Sequence, residues 1–441
     1  METDLSSQAP DTAKRVFWTL IVICAAWQIV TYRNDFYLII DDWAFFGTRL
    51  DLLATDGLDD FLLRRHNEHL MAGMVVWDVG IASIFGLRDY LPWLISVLCA
   101  NTFVAWVIFK YSRRIGVAPI AAAVVSPFFL VWGAFDRVGY WAPEAIFAIC
   151  LSLLMCHFAI VVAPSPPIRK ELVGVGLVIL AILIQSICVA VVPISVAILA
   201  VRRRWRSMII ACVPLVLYVL WYATYQRRDD AYRWPIGGAY PQDRNLALFA
   251  EFGWKSLSRT IWQTANFPTF LVIAALLSIG ITKLIRQGGS KRLYALCAVG
   301  ASFIYLVGFA WARGFATLKI FRQEIPSRYV SVLAILLLPI AGLGLNVLVM
   351  KFRERHRVNR PTLAVLVGAM VLLLVVSTAF QKYDRHQEDM DFARSTRDRL
   401  TTELADPDLV NRVPSDFVFG DIVWMDIIYS DLFRFRRLGW L

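Results

Sequence analysis

Apolar residues along this chain gather in long blocks between short polar stretches, from Val16 to Phe380. Each block is close to the about 20 residues that a helix needs to cross a bilayer. The blocks lie at 16–32, 91–110, 118–135, 142–163, 172–187, 188–201, 207–225, 267–284, 293–311, 328–350 and 361–380. Lipid offers no partners to backbone N–H and C=O groups, so a spanning block is a helix or a strand of a closed barrel. Barrel strands alternate in hydropathy over about 10 residues. These blocks are longer and apolar all round. The expected fold is therefore all-α: a polytopic transmembrane helical bundle of about eleven spans.

Two stretches need more care. The run 172–201 is long for one span and short for two. Pro193 and the polar pair Gln185-Ser186 place a break near its middle. The run from Met71 to Gly86 is apolar but holds Asp78. It is read as a helix lying on the outer membrane surface, with Asp78 turned to solvent.

Charge supports that choice. With the N-terminus inside, the cytoplasmic loops are 111–117, 164–171, 202–206, 285–292 and 351–360. They carry Arg113/Arg114, Arg169/Lys170, the run Arg202-Arg203-Arg204-Trp205-Arg206, Arg286/Lys291/Arg292, and Lys351/Arg353/Arg355/Arg357/Arg360. Short cytoplasmic loops are enriched in Lys and Arg, and one extra span would break the alternation. The organisation that follows is a cytoplasmic segment 1–15, a membrane core 16–380 with outer loops 33–90, 226–266 and 312–327, and a small extracytoplasmic tail 381–441.

Composition agrees. The chain is 58% hydrophobic and 18% charged, against about 25% charged in soluble domains. Its net charge of +11 would suggest nucleic acid in a soluble protein. Here the basic loops account for it, and no nucleic-acid partner is expected. All seven cysteines lie in apolar blocks without CxxC spacing, so neither disulfides nor thiolate metal sites are expected. Lys14-Arg15 precedes the first block and no small-x-small cleavage site follows it. It is read as an uncleaved span. No Asn-x-Ser/Thr sequon occurs, which points to a bacterial plasma membrane.

Candidate chemistry sits in the outer loops. Asp41-Asp42-Trp43 follows the first span. Adjacent carboxylates beside a membrane repel each other and lose solvation. They point opposite ways in a strand and diverge by about 100° on a helix, so one of them at most faces a given site. That acid can serve as a general base or hold a divalent cation, magnesium or manganese. The competing reading is a helix N-cap before Trp43-Ala44-Phe45-Phe46. Next come His66-Asn67-Glu68-His69, after Arg64-Arg65. On a helix His66 and His69 share a face, as a metal pair or as donors to a phosphate or sugar. A polar cap at the start of the surface helix is the bland alternative.

The late outer loop, Arg313 to Tyr329, carries Arg313, Lys319, Arg322 and Arg328 on the side that usually lacks cations. Arg suits bidentate phosphate binding; snorkelling to headgroups is the alternative. Asp136-Arg137 and Glu144 flank one outer turn and either join this cavity or form a local ion pair. His157 is expected in the packed core. Gln185 is expected to bond between helices. No P-loop, nucleotide fingerprint, HExxH or GxSxG setting occurs.

The layout resembles the GT-C glycosyltransferase superfamily over residues 16–380. The shared features are a first span, a long outer loop with an acidic motif (Asp41-Asp42-Trp43) and a surface helix (Met71–Gly86) ending in Phe85-Gly86-Leu87-Arg88. A late outer loop ends in Ser327-Arg328-Tyr329. The resemblance implies a multispan enzyme that takes a sugar from a polyprenyl-phosphate donor on the extracytoplasmic face. Its acceptor would be a hydroxyl of a glycan, lipid or protein. It points to Asp41 and Asp42 as catalytic or metal-binding. It points to Arg322 and Arg328, beside Tyr329, for the lipid phosphate. His66, Glu68, His69, Asp136 and Arg137 are further substrate-binding candidates from the residues themselves; the His66–His69 stretch has no general counterpart in the family. The implied reaction is a single displacement with inversion. A lipid or glycolipid transporter or flippase is the rival, but transporters place ionisable groups at mid-membrane and often show repeats. Neither is seen in this sequence. A non-catalytic assembly subunit and an outer-face acyltransferase using His66 with Glu68 are weaker rivals.

Overall fold

The computed structural model describes residues 5–33, 45–66, 69–130, 141–225, 250–251, 267–319, 327–356, 434–438 and 440, with scattered helical positions between 391 and 402. Among them there is no strand, only an isolated bridge between His66 and His69. The helices, in chain order, are α1 (Leu5–Tyr32), α2 (Thr48–Thr55), α3 (Leu58–Leu63), α4 (Ala72–Phe85), α5 (Leu91–Ile115), α6 (Pro119–Val125), α7 (Ala142–Val161), α8 (Ile168–Ile184), α9 (Val192–Val201), α10 (Trp205–Tyr225), α11 (Phe267–Gln287), α12 (Gly289–Lys319) and α13 (Ser327–His356). Short 3-10 turns extend α6 (Ser126–Leu130) and precede α9 (Ser186–Val191). Six described helices are long and apolar enough to cross a membrane, and three shorter stretches are apolar. The protein is an integral, multi-pass membrane protein. The expected span at 361–380 lies outside the described residues.

Local sequence sets the helix ends. Proline stands in the first turn of α5, α6, α7 and α9, where its missing N–H costs nothing. α5 stops at Gly116, whose φ of 102° is left-handed. That turn lets Gly116 and Val117 donate to the carbonyls of Arg113 and Ser112, which satisfies the last carbonyls of the helix.

Contacts sort the helix ends into two groups. At one end the start of α1 meets the end of α5: Phe17 stacks on Phe109 at 5.0 Å and Trp18 on Trp106 at 5.7 Å. Tyr111 of α5 lies 4.1 Å from Tyr294, near the start of α12. Arg202 and Arg204, between α9 and α10, donate to the carbonyls of Val161 and Ala163 that close α7. Arginines at a helix C-terminus satisfy its free carbonyls and its negative dipole end. Burial, and next the neighbouring Arg204, push the Arg202 guanidinium down from its ordinary value. Arg204 also reaches Glu171 of α8 at 2.5 Å. The basic residues 113–114, 169–170, 202–206 and 291–292 thus gather at one end of the bundle, as charge alternation predicts.

The run 172–201 does break in the middle. α8 ends at Gln185, whose backbone is extended, and the chain turns through Ser186–Val191 before α9 returns. Because Arg202 binds the end of α7, α8 runs away from the basic end and α9 comes back. His157 of α7 ties this turn-back together, with Nδ1 3.1 Å from the Gly174 carbonyl on α8 and Nε2 2.9 Å from the Ser195 hydroxyl on α9. A carbonyl only accepts, so Nδ1 donates and Nε2 receives the Ser195 proton. His157 is a buried core residue, as expected. The Gln185 side-chain oxygen, by contrast, has no hydrogen-bond partner among the described residues; Gln185 acts here through its backbone, which ends α8.

Two glycines set the crossing of α11 and α13. A Cβ built on Gly280 would stand 2.1 Å from the Ile340 carbonyl oxygen, and one on Gly344 would stand 1.9 Å from that of Leu276. Only glycine lets these backbones approach so closely.

Candidate active site

The end opposite the basic cluster carries the first loop. Phe45 and Phe46 are buried side by side. Phe45 faces the His66 ring at 4.9 Å, and Phe46 faces Trp93 of α5 at 5.7 Å. α2 and α3 follow as a short helical pair. The last carbonyls of α3 would be orphans. Arg49 is wholly buried and its Nη1 donates to the carbonyls of Asp60 and Phe61 at 3.3 and 3.2 Å. Trp221 of α10 donates through Nε1 to the Leu63 carbonyl at 2.8 Å. Arg64 bonds Asp60 at 2.8 Å and lies 3.7 Å from Asp56.

The chain then turns. His66 and His69 exchange backbone hydrogen bonds of 2.9 and 3.0 Å. The two histidines are therefore opposed in an antiparallel bridge and do not share a helix face. A spacing of three residues fits both arrangements, so the helical reading fails here. Leu70 is joined to the break in the α8–α9 hairpin: Ser186 N–H donates to the Leu70 carbonyl, and Leu70 N–H donates to the Ser186 hydroxyl, both at 3.1 Å. His69 Nδ1 lies 3.4 Å from the same hydroxyl.

A helix, α4, stands where the sequence suggested a surface helix at Met71–Gly86. Asp78 on it is completely buried, which corrects the expectation that it faces solvent. It shares the inner face of α4 with Val75 and Ala82, three residues before and four after it, the spacing of a single helical face. Glu144 stands buried in the first turn of α7, where an acid suits the positive dipole end.

The end of α12 and the start of α13 stand at the same end. α12 starts beside Tyr111 at the basic end and packs on the Ser186–Val191 turn further along. Its 31 residues rise about 46 Å at 1.5 Å per residue. α13 begins after it, with Arg328 and Tyr329 in the first turn, so their backbones stand at the end that carries the first loop.

No family model matches this sequence, and no curated protein matches it. Solved structures of ArnT from Cupriavidus metallidurans do match. The apo form agrees with a TM-score of 0.55 at 14% identity, covering 96% of this chain and 85% of ArnT. The form bound to undecaprenyl phosphate agrees with a TM-score of 0.50 at 15% identity, covering 96% and 84%. This chain shares the fold of ArnT.

Within that fold, the sequence-derived candidates divide in two. His66 and His69 lie in the bridge beside Phe45 and Ser186, and the backbones of Arg328 and Tyr329 lie at the same end. Asp41, Asp42, Glu68, Asp136, Arg137 and Arg322 lie outside the described residues, as do the side chains of Arg328 and Tyr329. Among the described residues no group of three or more His, Cys, Asp or Glu is placed to hold a metal. Sequence reasoning missed Arg49, Ser186 and Trp221, which fix the loop that follows the acids. A buried arginine eleven residues before an acidic helix end has no sequence signature. The polar pair at Gln185-Ser186 was visible, but only as a helix break.

Proposed function

We propose that this protein transfers a sugar from a polyprenyl-phosphate donor to an acceptor hydroxyl on the extracytoplasmic face, with inversion at the anomeric carbon. The likeness of nearly the whole chain to ArnT, one of whose structures holds undecaprenyl phosphate, carries this reading. Asp41 or Asp42 takes the proton of the acceptor hydroxyl. The freed oxygen attacks the anomeric carbon as the bond from that carbon to the phosphate oxygen breaks. The electron pair leaves on the lipid phosphate, where Arg322 and Arg328 stabilise the charge. His66, Glu68, His69, Tyr329, Asp136 and Arg137 contribute polar groups to the same pocket. The donor tail lies in the membrane, and the sugar and acceptor belong to the cell envelope.

The test uses purified protein in liposomes with a radiolabelled undecaprenyl-phosphate sugar and envelope acceptor extracts. Asp41→Asn or Asp42→Asn is expected to abolish transfer with expression intact. Full transfer by both variants removes the assignment. Lipid flipping without transfer by the native protein would favour a transporter. Chelation with EDTA in the same assay separates an acid that holds magnesium or manganese from one that acts as a base.

A further inference from the structure

Residues 434–440 return to the first loop from almost four hundred positions away in sequence. Arg434 pairs with Asp51 of α2. Phe435 and Trp440 are buried and stack on each other at 5.8 Å, with their planes 14° apart. Both rings meet Phe46 edge to face, at 6.3 and 6.1 Å, the geometry that aromatic quadrupoles favour. The Leu87 N–H donates to the Trp440 carbonyl at 2.7 Å. Gly86 there has φ of 73°, and a Cβ on it would lie 3.0 Å from that carbonyl. The segment closes on itself through Trp440 N–H to the Phe435 carbonyl at 2.9 Å.

These contacts form a hook with three holds: an ion pair on α2, an aromatic clasp on Phe46, and a backbone bond at the turn between α4 and α5. Phe46 stands four residues after Asp42. Its neighbour Phe45 faces His66. Phe45 is thus held by His66, and Phe46 beside it by the hook.

We propose that Arg434, Phe435 and Trp440 are positioning residues for the proposed reaction: they hold Phe46, beside Phe45, as the anchor of the first loop, and Asp41-Asp42 stand just before that anchor in the sequence. This rests on the function proposed above, in that the acid is taken to be the base. The hook acts through Phe46 and α2. Loosening an anchor by about 1 Å can lower a rate about a hundredfold without altering distant binding contacts.

The experiment compares full-length native protein with Phe435→Ala, Trp440→Ala, Arg434→Asp and the swap Arg434→Asp with Asp51→Arg. Hydrogen exchange is followed in peptides covering 45–63 and in peptides from α7. Transfer from an undecaprenyl-phosphate sugar is measured alongside. The hook variants are expected to exchange at least about tenfold faster over 45–63, with α7 unchanged. Their kcat is expected to fall at least about tenfold and their donor KM to stay within about twofold. The swap restores both. Unchanged exchange over 45–63 overturns the hook whatever the activity does. Faster exchange with native kcat overturns its positioning role. Should the alanine variants loosen α7 as well, the charge reversal and its rescue decide, and failure of rescue counts against the proposal. If native protein shows no transfer while the exchange pattern is as expected, the sugar-transfer reading falls and the hook stands as a loop anchor.

Discussion

Leu70 and Ser186 hold each other twice, by a backbone bond in one direction and by a backbone-to-hydroxyl bond in the other. They join the end of the first loop to the tip of the α8–α9 hairpin. Removing the hydroxyl leaves a buried N–H without its acceptor. Ser186→Ala is expected to destabilise the protein by about 1 kcal/mol and to speed exchange of the Leu70 amide. Denaturant titration with exchange readout checks this. A Leu70 amide as protected as before would show that the clamp does not hold the loop.

At the opposite end Arg204 takes the Glu171 carboxylate at 2.5 Å, and Ser207 donates to the same oxygen at 2.5 Å. Both charged side chains are largely shielded from solvent. Arg204→Ala strips Glu171 of its counter-charge and the end of α7 of one of its two arginines. A double-mutant cycle with Glu171→Gln is expected to give a coupling of roughly 2 kcal/mol. Coupling near zero would mean that Arg204 works only through the carbonyls of Val161 and Ala163.

How much of this was legible beforehand depended on the range of each interaction. Spans were legible because bilayer thickness fixes their length and excludes charge. The break at Gln185-Ser186 was legible because a polar pair and Pro193 interrupt an apolar run too long to be one helix. Asp78 was misjudged although its burial could be read: Val75 and Ala82 flank it at helical spacing on an apolar face. The histidine pair was not decidable, because three-residue spacing suits a helix face and an antiparallel bridge alike. The hook was invisible. Arg434 and Asp51 carry no pattern that links them, and an aromatic pair late in a chain does not name the phenylalanine it will meet.

The α11–α13 crossing gives a prediction with an internal control. A methyl on Gly344 collides with the Leu276 carbonyl, part of a helix backbone that cannot rotate away. A methyl on Gly342, two residues earlier, meets only the Val125 side chain at 3.3 Å, which can yield. Gly344→Ala is expected to cost about 3 kcal/mol or more, and Gly342→Ala under about 1.5 kcal/mol. Folded yield and thermal unfolding in detergent measure both. Equal tolerance of the two would mean that the helices do not cross at Gly344.

Charge predicts an orientation for the bundle, and labelling tests it directly. Asp59 on α3 and Lys170 on α8 are both exposed. Asp59 belongs to the first-loop end, since Tyr225 of α10 reaches it at 3.4 Å and the neighbouring Leu63 carbonyl binds Trp221. Lys170 belongs to the basic end, one residue from the Glu171 that pairs with Arg204. Basic ends are retained in the cytoplasm. In a background with the seven native cysteines replaced, Asp59→Cys is expected to react with a membrane-impermeant maleimide on intact cells. Lys170→Cys is expected to react only after the membrane is opened. Reaction of both on intact cells would break the two-ended arrangement of the loops. The reverse pattern would keep that arrangement and place the first loop in the cytoplasm, where extracytoplasmic sugar transfer cannot take place.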